Sequence, residues 1–506
     1  MKKLMSVVLA VGMIVMLCTG ALAEDPVSTK DSMVIVLDRE PVSLDPVDVY
    51  VAVKSLVDSC VYDTLLDVDS DGNTIPGLAQ SWEQVDELTW KFTLREGVTF
   101  HNGDPLTTQD VLFSLQRVKD SSVTKAKGAF MDLEHSYAEG NDIYLKLTEP
   151  YAFVEAQLAY PQFSIVSEAA VTAAGDSYGR EPIGTGPYSF VSWTAGDRIT
   201  LTRNDAYWGH KSILKELVFR IITESASRTI ELESGGVDLV LGISANDAAR
   251  IDENADTELV TRSSNSIRYV GFNCQKGALT DVRVRQALNY ATDTTALREI
   301  LYGLKTSGPA FSPVPEGMKG LNEDMPQYTY DPEKAKALLA EAGYADGLEV
   351  EFMYLANSTN NMLAELLQAL WGEVGVTLVL QPTESGALSS ALNKGEHMIC
   401  CAGTTFTLGE AGEGLNSMFS IASQGSSANR TYLTDEAIDE MLKKIVVTPN
   451  SDERAQMVYE VQELIHEQAP MIYLASQYQI IGRSARLQGF VPFSNAVHDF
   501  TYCYFN

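Results

Sequence analysis

The side chains that most often catalyse reactions or bind metals are spread thinly through this chain. Its six histidines lack the short spacings of a metal site and lie at positions 101, 135, 210, 397, 466 and 498. His466 and Glu467 begin the zinc-protease pattern H-E-x-x-H, but Pro470 stands where the second histidine belongs. A phosphate-binding P-loop and the H-x-E with C-x-x-C pattern of zinc deaminases are also missing. These patterns favour a binding protein over an enzyme, with no catalytic residue, no metal site and no cofactor.

The cysteines give no stronger signal for chemistry. Five of the six follow Cys18, an odd number whose spacings match no zinc pattern. Cys400 and Cys401 are adjacent and could form a vicinal disulfide, although small buried residues in a strand are the more common case. A disulfide scaffold is not expected in a domain of this size.

The first 23 residues have the composition of a secretory signal peptide. Lys2-Lys3 precedes an apolar run over residues 4–17, and Ala21-Leu22-Ala23 supplies small residues for cleavage before Glu24. The apolar run is shorter than the roughly 20 residues that a membrane-spanning helix needs. We therefore expect secretion across the cytoplasmic membrane and a periplasmic or cell-envelope-associated protein.

Cys18 offers an alternative to that cleavage, because bacterial lipoproteins are cut just before a cysteine and carry lipid on it. Leu17 is unfavourable for this processing, so we favour ordinary cleavage at Glu24.

The composition of the full chain is that of a soluble, globular protein. Of 506 residues, 45% are apolar and 21% are charged, which supports several hydrophobic cores and argues against global disorder. The 68 acidic residues outnumber 37 basic ones, for a formal net charge of −31. This excess of acid argues against nucleic acids and anionic membranes as partner surfaces.

The elements that must position a binding site alternate between strand and helix patterns, which predicts a mixed α/β fold. Trp90, Phe92 and Leu94 alternate with polar residues, as in a half-buried strand. Thr107 and Asp110 can cap the helix that follows. Further helices are predicted over residues 49–65, 282–301, 331–343, 363–372, 435–445 and 451–467, and strands over 33–37 and 398–402.

One stretch, residues 77–117, carries a sequence signature that is more informative than these helix and strand patterns. The informative residues are Gly77, Leu78, Ala79, Ser81, Trp82, Glu83, Phe92, Leu94, Arg95, Gly97, Val98, Phe100, His101, Gly103, Asp110, Val111 and Ser114. Two later blocks are Gly184-Thr185-Gly186-Pro187-Tyr188, with Asn204, Tyr207, Trp208 and Gly209 after it, and the run DVRVRQALNYATD at 281–293. In order and spacing, these residues resemble the family 5 extracellular solute-binding proteins. Members of that family are oligopeptide-, dipeptide-, glutathione- and nickel-type receptors of ABC importers.

The resemblance covers the chain from about residue 33 to the end. It implies an α/β, two-lobed clamshell of the periplasmic-binding-protein type (class II) with an extra inserted small domain. After the signal peptide at 1–23, the first lobe would comprise 24–68, 188–283 and 485–506, the inserted domain 69–187 and the second lobe 284–484. The chain would cross between lobes near 274–283 and 482–488.

The implied function is the capture of short peptides or peptide-like solutes in the interlobe cleft and their delivery to ABC transporter permease subunits. The resemblance implies a monomer without enzymatic activity. Any contact with the membrane would be made through the permease or a lipid anchor at Cys18.

The resemblance also places the site on the loop at 403–418, which follows the predicted strand at 398–402. The candidate ligand-binding residues are Thr404, Thr405, Phe406, Thr407, Gly409, Glu410, Tyr354 and Asn357. Dipeptide-type members carry an aspartate near the position of Thr407 and an arginine near 354–359, and this chain has neither. For Phe406 and Tyr354, packing in a core competes with ligand contact, and Asn357 could instead cap the next helix.

Several alternatives therefore stay open. The same fold could bind glutathione, a metal chelate, or an opine-like or sugar-like solute. The protein could also be a sensory receptor whose closed form signals to a membrane partner, or a secreted hydrolase.

Overall fold

The structure is a computed structural model that describes residues 26–48 and 52–506. The predicted signal peptide and Cys18 lie outside the described residues. Within these ranges, no helix combines the length and the apolar character that crossing a bilayer requires.

The strands, in chain order, are β1 (Ser32–Leu37), β2 (Leu66–Val68), β3 (Thr74–Pro76), β4 (Ala79–Asp86), β5 (Thr89–Leu94), β6 (Met131–Glu139), β7 (Asp142–Leu147), β8 (Tyr188–Thr194), β9 (Arg198–Arg203), β10 (Glu216–Ile221), β11 (Leu239–Leu241), β12 (Thr257–Phe272), β13 (Ser307–Gly308), β14 (Leu348–Leu355), β15 (Val376–Thr383), β16 (Ile399–Thr405), β17 (Met471–Ser484), β18 (Leu487–Gln488) and β19 (Tyr504–Phe505).

The α-helices, in chain order, are α1 (Ala52–Val61), α2 (Thr108–Asp120), α3 (Val154–Leu158), α4 (Glu168–Ala174), α5 (Ser225–Glu233), α6 (Ala245–Glu253), α7 (Val282–Tyr290), α8 (Thr294–Tyr302), α9 (Pro332–Glu341), α10 (Ser358–Gly372), α11 (Ser385–Asn393), α12 (Ala411–Phe419), α13 (Glu436–Val447) and α14 (Ser451–Gln468).

One mixed sheet runs through the molecule in the order β15-β14-β16-β12-β17-β11-β1-β10-β9-β8, with β13 beside β17. The long strands β12 and β17 pair antiparallel and belong to both halves of this sheet. At one end β17 pairs with β11, and at the other end β12 pairs with β16. We call the β11-β1-β10-β9-β8 half and its helices the first lobe, and the β16-β14-β15 half and its helices the second lobe.

Each lobe has its own hydrophobic core. In β1, Met33, Ile35 and Leu37 face a cluster in the first lobe, whereas Val36 faces a smaller cluster on the other side of the sheet. A strand buried on both faces is typical of a central parallel strand, and β1 pairs in parallel with β10 and β11. A separate cluster around Phe352 and Trp371 fills the second lobe.

A second sheet, in the order β4-β5-β7-β6, forms its own layer with α2 packed on it. The predicted alternation in β5 is confirmed, because Trp90, Phe92 and Leu94 are buried and join one cluster. The predicted cap of α2 is also confirmed. The Thr107 hydroxyl accepts from the backbone N–H of Asp110, and the Asp110 carboxylate accepts from that of Thr107.

Two predicted elements differ from the structure. The segment 403–418 is not a single loop, because β16 continues to Thr405 and α12 begins at Ala411. The helix expected over 282–301 is two helices, α7 and α8, separated by residues 291–293. The carboxylate of Asp293 accepts a 2.9 Å hydrogen bond from the backbone N–H of Ala296 and so starts a new helix. Asp281 caps α7, Asp331 caps α9 and Asp435 caps α13, each by accepting from backbone N–H groups of the first turn.

Candidate functional site

The strands β14, β15 and β16 position the predicted site, because they are parallel and end at the same edge of the sheet. Ligands commonly bind beyond the carboxyl ends of parallel strands. The loop at 406–410 follows β16 there, and the start of α10 follows β14.

Phe406 anchors this loop rather than facing the cleft. Its side chain is 1% exposed and packs in the core of the second lobe beside Gly414, where an added Cβ would lie 1.8 Å from the ring. Its backbone N–H donates a 2.7 Å hydrogen bond to the carbonyl oxygen of Asn265 in β12. Gly409 closes the turn with an N–H bond of 3.0 Å to the Phe406 carbonyl, and its φ of +70° suits glycine.

The threonines lie together at the surface of this edge. Thr404 and Thr405 end β16 opposite Ile267 and Ser266, and the hydroxyls of Thr405 and Ser266 are 2.8 Å apart. Thr405 is exposed and Thr407 is half-buried, so both can meet a solute.

Glu410 stands immediately before α12 and is half-buried. Burial raises the pKa of its carboxyl. The positive charges of Arg454 and Lys319 partly oppose this shift, and the negative charge of Glu155 adds to it. Between Thr407 and Glu410, Leu408 packs against the core of the second sheet, which belongs to residues assigned to the inserted domain.

Tyr354 lies deeper in the sheet than that group, whereas Asn357 begins the helix that follows β14 at the same edge. Since Met353 pairs with Cys400, Tyr354 is level with Cys401, about 13 Å along the strand from Thr405. Its side chain is 3% exposed and packs against Phe352, with 5.1 Å between ring centres. The amide oxygen of Asn357 accepts a 2.9 Å hydrogen bond from the N–H of Asn360 and caps α10. The structure favours packing for Phe406 and Tyr354 and capping for Asn357.

A cavity of about 170 Å³ lies where β12 and β17 pass between the lobes. Both lobes and the β2–β3 turn line it, chiefly through Asp69, Asp71, Gly72, Arg262, Ser263, Asn265, Glu316, Lys319, Leu408, Gly409 and Asn495. Of the eight site residues predicted from the sequence, all of which lie in the described ranges, only Gly409 lines this cavity.

Hydrogen bonds between distant segments hold the walls of this cavity. The Arg262 guanidinium donates a 2.6 Å hydrogen bond to the carbonyl oxygen of Ser70 and lies 3.7 Å from the Asp71 carboxylate. The Tyr478 hydroxyl donates a 2.8 Å hydrogen bond to the Glu316 carboxylate. Negative and positive side chains therefore line one small space.

Sequence reasoning missed Arg262, Glu316, Lys319 and Asn495. The available signal was the Asp71-Gly72 turn, which identifies a hairpin but not what the hairpin faces.

The cysteines of the described residues are all unpaired, and Cys400 and Cys401 are buried in β16. Burial raises the pKa of the Cys400 thiol to about 12, which keeps it protonated near neutral pH. The interpretation of these two residues as buried strand residues is confirmed. Within residues 26–48 and 52–506, no group of three or more histidine, cysteine or acidic side chains could hold a metal ion.

One hydrolase pattern, G-x-S-x-G, occurs at Gly175-Asp176-Ser177-Tyr178-Gly179. A nucleophile elbow places this serine on a tight turn between a strand and a helix. Here the pattern lies in a 3₁₀ helix after α4, and the Ser177 hydroxyl donates a 2.8 Å hydrogen bond to the carbonyl oxygen of Ala174. The local structure is not that of a nucleophile elbow.

Comparisons with known proteins agree with this architecture. Two curated relatives are the "Heme-binding protein A" of Haemophilus influenzae, 31% identical over 85% of this chain and 84% of that protein, and the "Dipeptide-binding protein" of Escherichia coli, 30% identical over 79% and 80%. The solved structure of HbpA2 from Haemophilus parasuis has a TM-score of 0.87 and 27% identity, and the match covers 94% of this chain and all of that one. The α/β, two-lobed fold expected from the sequence is thereby confirmed. The sequence profile of "Bacterial extracellular solute-binding proteins, family 5 Middle" matches residues 73–426, so the chain belongs to that family of extracellular solute-binding proteins.

Proposed function

We propose that this protein captures short peptides, or peptide-like solutes, between its two lobes and delivers them to the permease of an ABC importer. The observation that carries the proposal is the cavity at the β12–β17 crossing, which both lobes enclose. The similarity to a dipeptide-binding protein supports the same class of solute.

The charges around the cavity suit a zwitterion. Asp69, Asp71 and Glu316 can neutralise an ammonium group, and Arg262 and Lys319 can neutralise a carboxylate. Peptide groups buried with the solute also need partners, because an unpaired buried amide costs about 1–3 kcal/mol. The exposed end of β16, with Thr404, Thr405 and Thr407, can provide them. We propose that these threonines, with Gly409 and Glu410, form the second-lobe wall of the site.

Closure would bend the sheet where β12 and β17 pass between lobes. The β12–β17 pairing shifts register between Ser263 and Ile267, which supports a hinge at that level. The domain boundaries proposed from the sequence are 24–68, 188–283 and 485–506 for the first lobe, 69–187 for the inserted domain, and 284–484 for the second lobe. A hinge inside β12 would move the first crossing several residues earlier than 274–283.

The finer statements about cellular context are also proposals. We infer a monomer that works in the periplasm or cell envelope and performs capture, closure and docking without covalent chemistry. Genes for two permeases and two ATPases beside this one would favour import, whereas an adjacent kinase or chemoreceptor gene would favour sensing. Turnover of peptides by the purified protein would instead establish a hydrolase.

Mass spectrometry of the solute released from purified protein tests the proposal, together with thermal shifts from a peptide and glutathione library. A true ligand raises the melting temperature, and the stabilisation grows as RT ln(1 + [L]/Kd). We expect short peptides to give such shifts. Thr407→Lys should abolish them, whereas the control Thr194→Lys, on an exposed edge strand, should not. If neither peptides nor glutathione bind at roughly millimolar concentration, too weak to be useful to a receptor, the peptide proposal fails.

A further inference from the structure

A second and larger cavity, of about 520 Å³, lies between the first lobe and the segment assigned to the inserted domain. Its walls come from the β2–β3 hairpin, the turn at 207–210 and the C-terminal segment at 489–502. Every described residue that lines it lies outside 284–484, so the cavity does not depend on the second lobe. It adjoins the smaller interlobe cavity, since Val68, Asp69, Phe493 and Asn495 line both. Its volume is in the range of small-molecule sites.

This cavity is acidic. Asp63, Asp67 and Asp499 line it, and among the described lining residues there is no lysine or arginine. The Asp67 carboxylate accepts a 2.8 Å hydrogen bond from the neighbouring N–H of Val68, and Asp499 accepts from Thr501 at 2.7 and 2.8 Å. Desolvation by neighbouring groups, and then repulsion from Asp63 and Asp499, raises the pKa of the Asp67 carboxyl, although Asp67 keeps contact with solvent. A cation in the cavity would relieve that repulsion.

Aromatic side chains form much of the remaining wall, and their positions are fixed. The Tyr207 hydroxyl and the Trp208 indole N–H donate to the Asp63 carboxylate at 3.0 and 2.9 Å. The rings of His210 and Tyr502 stack with 4.4 Å between their centres. Such rings attract organic cations through their faces and also cover an apolar body, and the Arg95 guanidinium already lies 4.7 Å from the centre of the Trp208 ring.

His498 adds a hydrogen-bond donor to the same wall. Its Nδ1 accepts a 3.1 Å bond from the N–H of Phe493, so Nε2 carries the proton of the neutral ring. The side chain is 2% exposed, and its Nε2 has no hydrogen-bond partner among the described residues. A ligand with a hydroxyl or carbonyl oxygen could accept from it.

We propose that this cavity is a second ligand site, which takes a small organic amine with an aromatic or apolar body. The acidic wall binds the ammonium group and the rings bind the body. The site is separate from the one that binds the transported solute.

Titration calorimetry with three compounds that share one ring tests this proposal. The probes are tyramine, its neutral analogue tyrosol, and the anion 4-hydroxyphenylacetate. We expect tyramine to bind at least about tenfold more tightly than tyrosol, because a charge-assisted contact is lost, and the anion not to bind. Similar affinities for all three, or no tyramine binding at about millimolar concentration, would overturn the proposal.

The paired substitution Asp67→Asn and Asp499→Asn should weaken tyramine binding by about tenfold or more without changing peptide binding. The control Glu134→Gln removes one negative charge from an exposed position of β6. It should change neither the affinity for tyramine nor the affinity for peptide. The three-probe comparison uses the unaltered chain, so it stands even if the double variant is unstable. Saturating peptide should leave tyramine bound. Displacement of tyramine by peptide would mean a single shared site and would contradict the proposal.

Discussion

The backbone N–H of Ala152 donates a 2.7 Å hydrogen bond to the carbonyl oxygen of Val446, which joins the segment assigned to the inserted domain to helix α13 of the second lobe. The next side chain, Phe153, is 2% exposed and belongs to a core cluster that is separate from the one around Phe352 and Trp371 and is built mainly by α12, α13 and α14. An added Cβ on Gly412 in α12 would lie 3.1 Å from the Phe153 ring. This contact holds the lobes together in the conformation described, and separation of the lobes would have to break it.

Phe153→Ala should therefore weaken solute binding although Phe153 lies outside the interlobe cavity. Burying such a side chain contributes about 1.5–3 kcal/mol, and this gain is available only when the lobes are closed. We expect an affinity loss of about ten- to hundredfold by calorimetry. Tyr459→Ala, which truncates an aromatic residue 40% exposed on α14, is the control and should bind normally. Unchanged affinity of Phe153→Ala would show that the contact persists in the open form.

The second prediction concerns the ion pair of Lys54 and Asp58 in α1. Their side chains are 4% and 1% exposed, so each charge depends on the other. Lys54→Met should lower the free energy of unfolding by about 3–5 kcal/mol, because it leaves Asp58 buried and unpaired. Adding Asp58→Leu should restore most of the loss, as measured by urea unfolding.

Lys336→Met is the matched control, since Lys336 pairs with Glu333 at 2.8 Å on an exposed face. Lys336→Met should not measurably change the free energy of unfolding. Equal effects of the two lysine substitutions would contradict the importance of burial.

The third prediction compares two helical glycines. Gly414→Ala would place a methyl group 1.8 Å from the Phe406 ring, so it should displace the loop that follows β16 and reduce both stability and solute binding. Gly386→Ala in α11 meets nothing within 4 Å and should stabilise the protein by about 0.4–1 kcal/mol. Thermal unfolding and calorimetry of both variants check this pair. A neutral Gly414→Ala would argue against Phe406 as the anchor of the loop.

Acid should destabilise the protein partly through His498. Burial lowers the pKa of its imidazole to about 3, below the value of about 6.5 in an unfolded chain. The unfolded state therefore takes up a proton that the folded state does not. The neutral, buried imidazole therefore makes its full contribution to the free energy of unfolding above about pH 6.5, and this contribution is lost as the pH falls toward 3. His498→Gln should make the free energy of unfolding less dependent on pH between 7 and 4.5, and an unchanged slope would contradict this assignment.

Local sequence was sufficient where neighbouring residues decide the structure. The alternation of Trp90, Phe92 and Leu94 and the caps at Thr107 and Asp331 depend on residues within a few positions, and all are present. The break at Asp293 was missed although residues 292–295, Thr-Asp-Thr-Thr, interrupt the apolar pattern and include the capping residue of the second helix.

Local sequence could not identify the walls of the two cavities. Arg262, Glu316 and Asn495 are far apart in the chain. They meet because β12 pairs with β17, and β17 in turn holds the other two segments through hydrogen bonds of Tyr478 and Gln479. Nor does the run around Phe406 show which side chain turns inward. That depends on the space beside Gly414, which belongs to the following helix.

A crystal structure of the protein with the solute it retains on purification is the most direct test of capture between the lobes. We predict a solute enclosed at the β12–β17 crossing, in contact with Arg262 and with the loop around Gly409. A retained solute that touches one lobe alone, or that lies away from this crossing, would contradict the proposed function.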